Sequence, residues 1–415
     1  MLKRIHIAVL LSVSICSIGP VLHAQQALCP GAPSANIVPT NLACEIADAT
    51  GATGVGNSSL RNLPTTIASQ LSQLPLATAV SGSGLTLNKS LGVFTASEDS
   101  LGTILTQRGE TIGKYKLMLS FTYQHFGFGS IDGTSLHNFN TVQVTPNSDK
   151  TSTYFVGTND ISLGINQYTT AASFGLTNKI DVTAILPFSH VNLSTRTALT
   201  IYSVNAANVV LSSFPAVPPA SYMPGTATGV GDFALNLKAN IFKGEHTSVA
   251  VGGEVRFPTG DAINYLGTGA YGFKPYIVVS HRGRFTPNVN LAYQWNGSSI
   301  LNNNQNLPGS FLYSGGADFR VTHNFTLVGE FLGQYVFNGP RLTTKPLNVV
   351  PTGFTYPVGS VTGAITQNYA MDNLGGGVKY SPTKHIFLSA NILFKLDDAG
   401  LRSKIIPLAG ASYRF

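Results

Sequence analysis

The chain has 415 residues, of which Lys and Arg supply 25 and Asp and Glu 18, so only 10% are charged and the formal balance is +7. Soluble domains carry about a quarter charged residues, and a surface this poor in charge needs a cover other than water. So dilute a positive excess, with no basic cluster interleaved with aromatics, excludes a nucleic-acid partner and points to lipid.

The N-terminus has the layout of a secretory leader. Lys3 and Arg4 precede an apolar core over Ile7–Ile15, Gly19-Pro20 breaks it, and Leu22-His23-Ala24 precedes Gln25 as a cleavage site. The core is too short for a transmembrane helix. Residues 1–24 are expected to be a removable signal peptide, and its loss lowers the balance from +7 to +5. Cys16 leaves with it. Cys29 and Cys44 remain, and in an oxidising periplasm they are expected to pair as a disulfide. Free thiols or a metal site are the weaker reading, since no His or second Cys pair is near.

Residues 25–112 carry no strand period. Residues 31–59 are rich in Gly, Ala, Asn, Ser and Thr. Leu63–Leu74 predicts one short helix, with Pro64 in its first turn and Ile67, Leu71 and Leu74 on one face. This zone is expected to be a plug folded into a barrel or a periplasmic segment, with the plug favoured.

Over 113–415 the period is two. Leu117, Leu119, Phe121 and Tyr123 alternate with Met118, Ser120, Thr122 and Gln124, and the pattern recurs in Phe233–Ile241, Val249–Phe257, Val289–Trp295, Phe325–Phe337 and Ile386–Phe394. A soluble sandwich also alternates, but three features favour a membrane barrel. Most runs exceed the roughly nine residues that cross a bilayer at barrel tilt. Short turns (177–179, 243–246, 282–284, 321–324, 381–384) alternate with long polar connections (130–154, 197–228, 258–269, 297–308, 338–366, 397–402), as in outer-membrane barrels. The last strand ends on Phe415, which resembles the signal read by barrel assembly machinery. The expected fold is all-β, a transmembrane antiparallel β-barrel of about 12 strands in the outer membrane of a Gram-negative cell, with both ends periplasmic. A bulge or a break is expected near Asn166–Tyr168, where the alternation slips. Tyr123, Phe188, Phe257, Tyr271, Phe285, Tyr293, Trp295 and Phe337 are expected in interface girdles.

Few motifs carry chemistry. Gly267-Thr268-Gly269-Ala270-Tyr271-Gly272 matches G-x-G-x-x-G, but Pro275 and a strand period follow where a dinucleotide site needs a helix. It reads as a loop tip. His246, His281, His323 and His385 fall at short turns, and His125, His137 and His190 towards the outer side. Ser189 and His190 point to opposite faces of a strand, and no nucleophile elbow or H-E-x-x-H string occurs. No catalytic residue, metal or cofactor is implied. The charges that alternate with apolar residues, Lys116, Asp232, Lys238, Glu254, Arg256, Asp318, Arg320, Glu330, Lys379 and Lys395, should face the lumen, because a charge facing lipid costs a few kcal/mol. They read either as a ladder of ion pairs that stiffens the barrel or as a polar pathway into which Arg108 and Glu110 seat a plug.

Gly229-Val230-Gly231-Asp232, Phe257-Pro258-Thr259-Gly260-Asp261, Gly267-Thr268-Gly269 and Asn290-Leu291-Ala292-Tyr293, with the upstream run Ile104–Gly113, resemble the outer-membrane family labelled "MetA-pathway of phenol degradation". The resemblance spans 90–415. It implies a porin-like transporter for passive uptake of small aromatic or other hydrophobic solutes. Tyr202, Phe214, Tyr222, Phe354 and Tyr356 are expected to give the outer loops aromatic surface, either to hold an apolar solute or to pack on each other and close the mouth. The expected partners are outer-membrane lipid, a small-molecule solute and, through Phe415, the assembly machinery. The alternatives are a structural or adhesive surface barrel, and an outer-membrane lipid-modifying enzyme built on His125 or His190.

Overall fold

The structure is a computed structural model that describes residues 42–43, 63–72, 85–88, 93–96, 101, 103–215, 221–346, 352–353 and 360–415. The expected leader over 1–24, both Cys29 and Cys44, and the loop aromatics Phe354 and Tyr356 lie outside the described residues.

Helix α1 (Leu63–Leu71) precedes twelve wall strands. These are β1 (Leu117–Ile131), β2 (Ser152–Gly175), β3 (Ile180–Val204), β4 (Phe233–Lys243), β5 (Thr247–Phe257), β6 (Gly272–His281), β7 (Phe285–Asn296), β8 (Ser310–Arg320), β9 (Phe325–Pro346), β10 (Ser360–Tyr380), β11 (Ile386–Lys395) and β12 (Ile405–Arg414). Each pairs antiparallel with the next. β12 returns to β1, with Leu408 opposite Gln124 and Arg414 opposite Met118. Closure leaves the wall no open edge, the condition for a sheet in hydrocarbon.

The two faces of the wall are inverted relative to a soluble barrel. On β1, Leu119 and Phe121 are 40% and 50% exposed, whereas Ser120, Thr122 and Gln124 between them are 4%, 3% and 1% exposed. Leu235, Leu237 and Ile241 on β4 and Val289, Leu291 and Trp295 on β7 are likewise exposed. Apolar outside and polar inside is the arrangement lipid selects. Phe285, Phe319, Tyr380, Tyr413 and Phe415 ring the end that carries the short turns. Towards the other end, Phe257–Tyr271, Phe273–Trp295, Tyr293–Trp295 and Tyr293–Phe337 form a chain of ring contacts at 4.5–6.2 Å. Two such girdles bracket the apolar band of an outer-membrane barrel.

β2, β3, β9 and β10 have 24, 25, 22 and 21 residues, about twice what a tilted span needs, so their far halves stand beyond the lipid. Three connections expected as long loops, 130–154, 197–228 and 338–366, are therefore largely strand, with Phe139–Pro146 paired to β2 in the first. β3 runs to Val204 against Ser221–Val230 and Val210–Pro215, and β9 runs to Pro346 against β10. Val142, Tyr154, Val156, Tyr202 and Val204 pack together there, and β-branched and aromatic residues of this kind suit a pleated, half-buried surface.

Neither the bulge nor the break expected near Asn166–Tyr168 is present. β2 keeps register with β1 from Leu163 to Phe174 and with β3 along its whole length. What changes is the lumen. Ile161, Leu163 and Ile165 still point inward, into a cluster with Phe126, Phe128, Val191 and Leu193. Polarity swaps faces because the outer half of the bore has an apolar filling.

Candidate functional site

The lumen contains a floor, a cavity and a roof, and residues that precede β1 contribute to all three. The floor is the stretch from Ile104 to Ile112, which crosses the bore at the short-turn end. It is held mainly by wall side chains that bind its backbone. Glu330 Oε1 accepts from the amides of Ile104, Leu105 and Thr106 at 3.1, 2.7 and 2.8 Å and from the Thr106 hydroxyl at 3.0 Å. Successive amides converging on one carboxylate form a nest. Asn391 donates to Glu330 Oε2 at 2.8 Å. Lys379 donates to the carbonyls of Leu101 and Thr103. Lys238 donates to those of Arg108 and Glu110, at 3.3 and 2.7 Å, and Asn240 to that of Gly109 at 2.7 Å. The amide of Gly109 donates to Ser280 Oγ at 2.8 Å, and that of Ile112 to Asp181 Oδ2 at 3.0 Å.

Glu110 is the acid of the floor. Arg282 donates from Nε to Glu110 Oε1 at 2.7 Å, and Arg108 Nε lies 3.4 Å from Oε2. Burial alone would raise the Glu110 carboxyl, but the two guanidiniums outweigh it and hold the group below the ordinary glutamate value. The wall is shaped for this strand of chain. A Cβ on Gly316 would lie 2.3 Å from Thr106 Oγ1, and one on Gly175 would lie 1.9 Å from the Gly113 carbonyl oxygen.

Above the floor is a cavity of about 240 Å³. Leu105 and Gln107 of the floor bound it below, and Gln70 and Leu71 of α1 with the following Ser72 bound it above. Its wall is apolar at Phe126, Phe128, Leu312, Leu332, Leu401 and Ile406, and polar at Gln167, Ser189, Asn290, Gln294, Gln334 and Asn373. Pro64 presets the first turn of α1. Thr65 Oγ1 donates to the Leu301 carbonyl at 2.8 Å, and Arg256 Nη1 donates to the Ser72 carbonyl just past the helix C-terminus at 2.8 Å, where a cation is favoured. Ile67 and Ala68 join the apolar cluster with Leu42, Ala43, Tyr265 and Leu301.

The glycine-rich segment 258–271 folds inward as part of this roof. Asp232 accepts from the amides of Gly260 and Thr268 and from the Thr268 hydroxyl at 3.1, 2.8 and 2.7 Å. A Cβ on Gly267 would lie 2.3 Å from Asp232 Oδ1, and Gly269 has φ +66°. The G-x-G-x-x-G string is thus a tight loop on a carboxylate that returns into β6.

The anticipated lumen charges divide. Arg108, Glu110, Lys238, Glu330 and Lys379 meet at the floor, and Asp318 is buried near Arg108 and Lys379. Asp232, Glu254 and Arg256 line the cavity, with Lys274 Nζ 2.7 Å from Glu254 Oε1. Lys116 and Arg320 stand at the short-turn rim, outside the floor network, and Lys395 pairs with Asp398 near the opposite end. Sequence reasoning missed Asp181, Asn240, Ser280, Arg282, Lys274, Arg402 and Gln167. Most share the parity of inward positions already recognised. Arg282 falls in a stretch that reads as a short turn, yet it continues the inward row of Val278 and Ser280. Outside the lumen, His125 Nδ1 lies 2.8 Å from Asn166 Oδ1 and His190 Nδ1 2.5 Å from Thr228 Oγ1 on the outward face, while Ser189 faces inward. His137 pairs with Asp160 at 2.6 Å. Tyr202 is buried and Phe214 exposed. No cluster of three metal-ligating side chains occurs among the described residues.

Among solved structures, the chain is similar to an outer membrane channel from Pseudomonas putida F1, at 12% identity over 74% of this chain and 97% of that one, with a TM-score of 0.45. It is similar to the NanC porin at 9% identity over 72% and 98%, TM-score 0.36, and to the CymD monoaromatic hydrocarbon channel at 10% over 73% and 89%, TM-score 0.34. No curated protein matches it in sequence. The family described as MetA-pathway of phenol degradation matches residues 143–415, which contain β2 through β12 and the whole in-folded Gly267 loop, and the chain belongs to that family.

Proposed function

We propose that this outer-membrane barrel is a channel for small aromatic or other hydrophobic solutes, and that the residues before β1 act as its internal plug. The cavity in the bore carries the reading. A lumen needed only for rigidity has no use for an open space of about 240 Å³ between two elements supplied by the same N-terminal zone. The wall glycines and the side chains that grip the floor by its backbone further support a seated plug. The floor is held to the wall more by polar bonds than by apolar packing, which comes to Ile104 and Leu105 against Val328 and Leu408, so its seat is specific to this segment of chain. The last strand, with the Phe415 amide bonded to the Leu117 carbonyl and its ring on Tyr413, supports recognition by assembly machinery.

The test is conductance in planar bilayers and solute uptake into liposomes, for the full chain and for a variant lacking residues 25–112. Heat-modifiable gel mobility establishes that both are folded barrels. The full chain is expected to conduct little and the shortened one to pass ions and one-ring aromatics. Equal, negligible passage by two folded proteins would refute the channel reading, and equal, high passage would refute the plug.

A further inference from the structure

We propose that the outward face of β1, β2 and β3, just beyond the outer aromatic girdle, binds the phosphorylated sugar headgroup of an outer-leaflet glycolipid. The inference rests on the outer-membrane barrel and not on the channel reading. Register is the first observation. Tyr123, Tyr168 and Phe188 stand opposite one another on the outside of the wall, with the two tyrosine rings 5.2 Å apart between centroids. One pleat further from the short turns, His125, Asn166, His190 and Thr228 form a continuous row across β1, β2, β3 and the strand Ser221–Val230. The outward face turns from apolar to polar at this row, the level at which headgroups replace acyl chains. The row is also pre-set. Asn166 Oδ1 accepts from the Tyr123 hydroxyl and from His125 Nδ1, both at 2.8 Å, and His190 Nδ1 lies 2.5 Å from Thr228 Oγ1. Nε2 of each imidazole and Nδ2 of Asn166 are left without a partner among the described residues, and none of the three is closed off from the outside. An imidazole held in this way accepts from a sugar hydroxyl when neutral and donates to a phosphate oxygen when protonated.

Open space is the second. Beyond the row the outward positions include Gly127 and Gly129 on β1 and Gly164 on β2, with Gly127 opposite Gly164. A glycine inside a strand often marks the close approach of another group. Here the chain supplies none. A Cβ on Gly129 would meet nothing within 4 Å, and one on Gly127 or Gly164 would come no nearer than 3.4 or 3.9 Å to any atom. The wall glycines beneath the floor leave no such room. The result is a shallow step in the outer surface, floored by backbone, where a headgroup can lie flat.

The third observation is charge. Arg196 is exposed further along the outward face of β3, and Asp160, its register partner, is already held by His137 at 2.6 Å. Lys404 is exposed beside the step, next in the chain to Ser403, whose Oγ accepts from the Gly127 amide at 3.3 Å. Neither cation has an ion pair among the described residues. Two cations without counter-charges, flanking a row of amide and imidazole groups, complement a sugar that carries phosphate.

The full chain in detergent is titrated with bisphosphorylated lipid A, its dephosphorylated form and phosphatidylglycerol, and bound lipid is counted by native mass spectrometry. Bisphosphorylated lipid A is expected to bind about tenfold more tightly than the dephosphorylated form, and more tightly than phosphatidylglycerol, which offers phosphate without the sugar. Lys404→Gln and Arg196→Gln should each weaken it about fivefold, the contribution of one cation near an anionic headgroup. Gly127→Leu, which fills the step and leaves every charge in place, should weaken it as well, whereas Lys179→Gln at the short-turn rim should change nothing. Each variant is checked for heat-modifiable mobility, and the two surface glutamine variants carry the test if Gly127→Leu does not fold. Equal affinity for the three lipids overturns the inference without recourse to any variant. Unchanged affinity in both folded glutamine variants overturns it too, as does a dimer of the chain that occupies this face in place of lipid and is dispersed by Gly127→Leu. Solute passage without a lipid preference leaves the channel reading intact and sinks this one, and a lipid preference without passage does the reverse.

Discussion

Glu330 does more for the floor than any other single side chain. Its carboxylate joins three consecutive amides, a hydroxyl and the Asn391 side chain, and bonds to a charged acceptor contribute about 1.5–3 kcal/mol each. Glu330→Gln keeps the shape but removes the charge and turns one acceptor into a donor. The floor should loosen by about 3 kcal/mol, measured as raised single-channel conductance, while the barrel keeps its heat-modifiable shift. Glu110 adds a pH dependence. Its folded carboxyl titrates below the unfolded one, so its contribution is complete above the ordinary value of about 4.3 and is lost as pH falls through the lower folded value. Conductance should therefore rise on acidification below about pH 4. In Glu110→Gln, which strands Arg108 and Arg282 as buried cations, it should already be high at neutral pH and nearly flat with acid.

At the scale of elements, the in-folded loop and the floor are governed by places where a side chain would not fit. Gly267→Ala would drive a methyl group onto Asp232 Oδ1 and strip the carboxylate of its Thr268 bonds, a loss of about 2–3 kcal/mol. The expected readout is a lower temperature for the heat-modifiable transition. β2 shows how an element is misread when its environment changes along its length. Alternation of polarity reports register only where one side is uniformly apolar. Beyond Gln167 the lumen itself turns apolar around Phe126, Ile165 and Val191, so the polarity inverts while the pleat runs on unchanged. The short turns were legible for a local reason, since Gly, Asn, Ser and Lys between two period-two runs mark a hairpin wherever it sits. The far halves of β3, β9 and β10 were not, because Thr-rich polar strand and polar loop look alike until a partner strand is placed beside them.

For the molecule as a whole, the bilayer sets the terms. Leu237 lies in the middle of β4 and faces outward at 50% exposure. Leu237→Arg should cost about 2–4 kcal/mol if that face meets the hydrocarbon midplane, read by urea unfolding in liposomes. Arg introduced at inward Ala250 would test lumen packing instead. The barrel class, its approximate strand count and the end at which the turns are short followed from sequence alone, because lipid imposes span length and a period of two residue by residue along the chain. Tertiary structure alone decided which lumen charges meet. Arg282 reaches Glu110 across 172 positions, and Glu330 reaches the Thr106 amide across 224. No periodicity encodes such distances. They arise only when the sheet closes on itself and the segment before its first strand is laid across the bore.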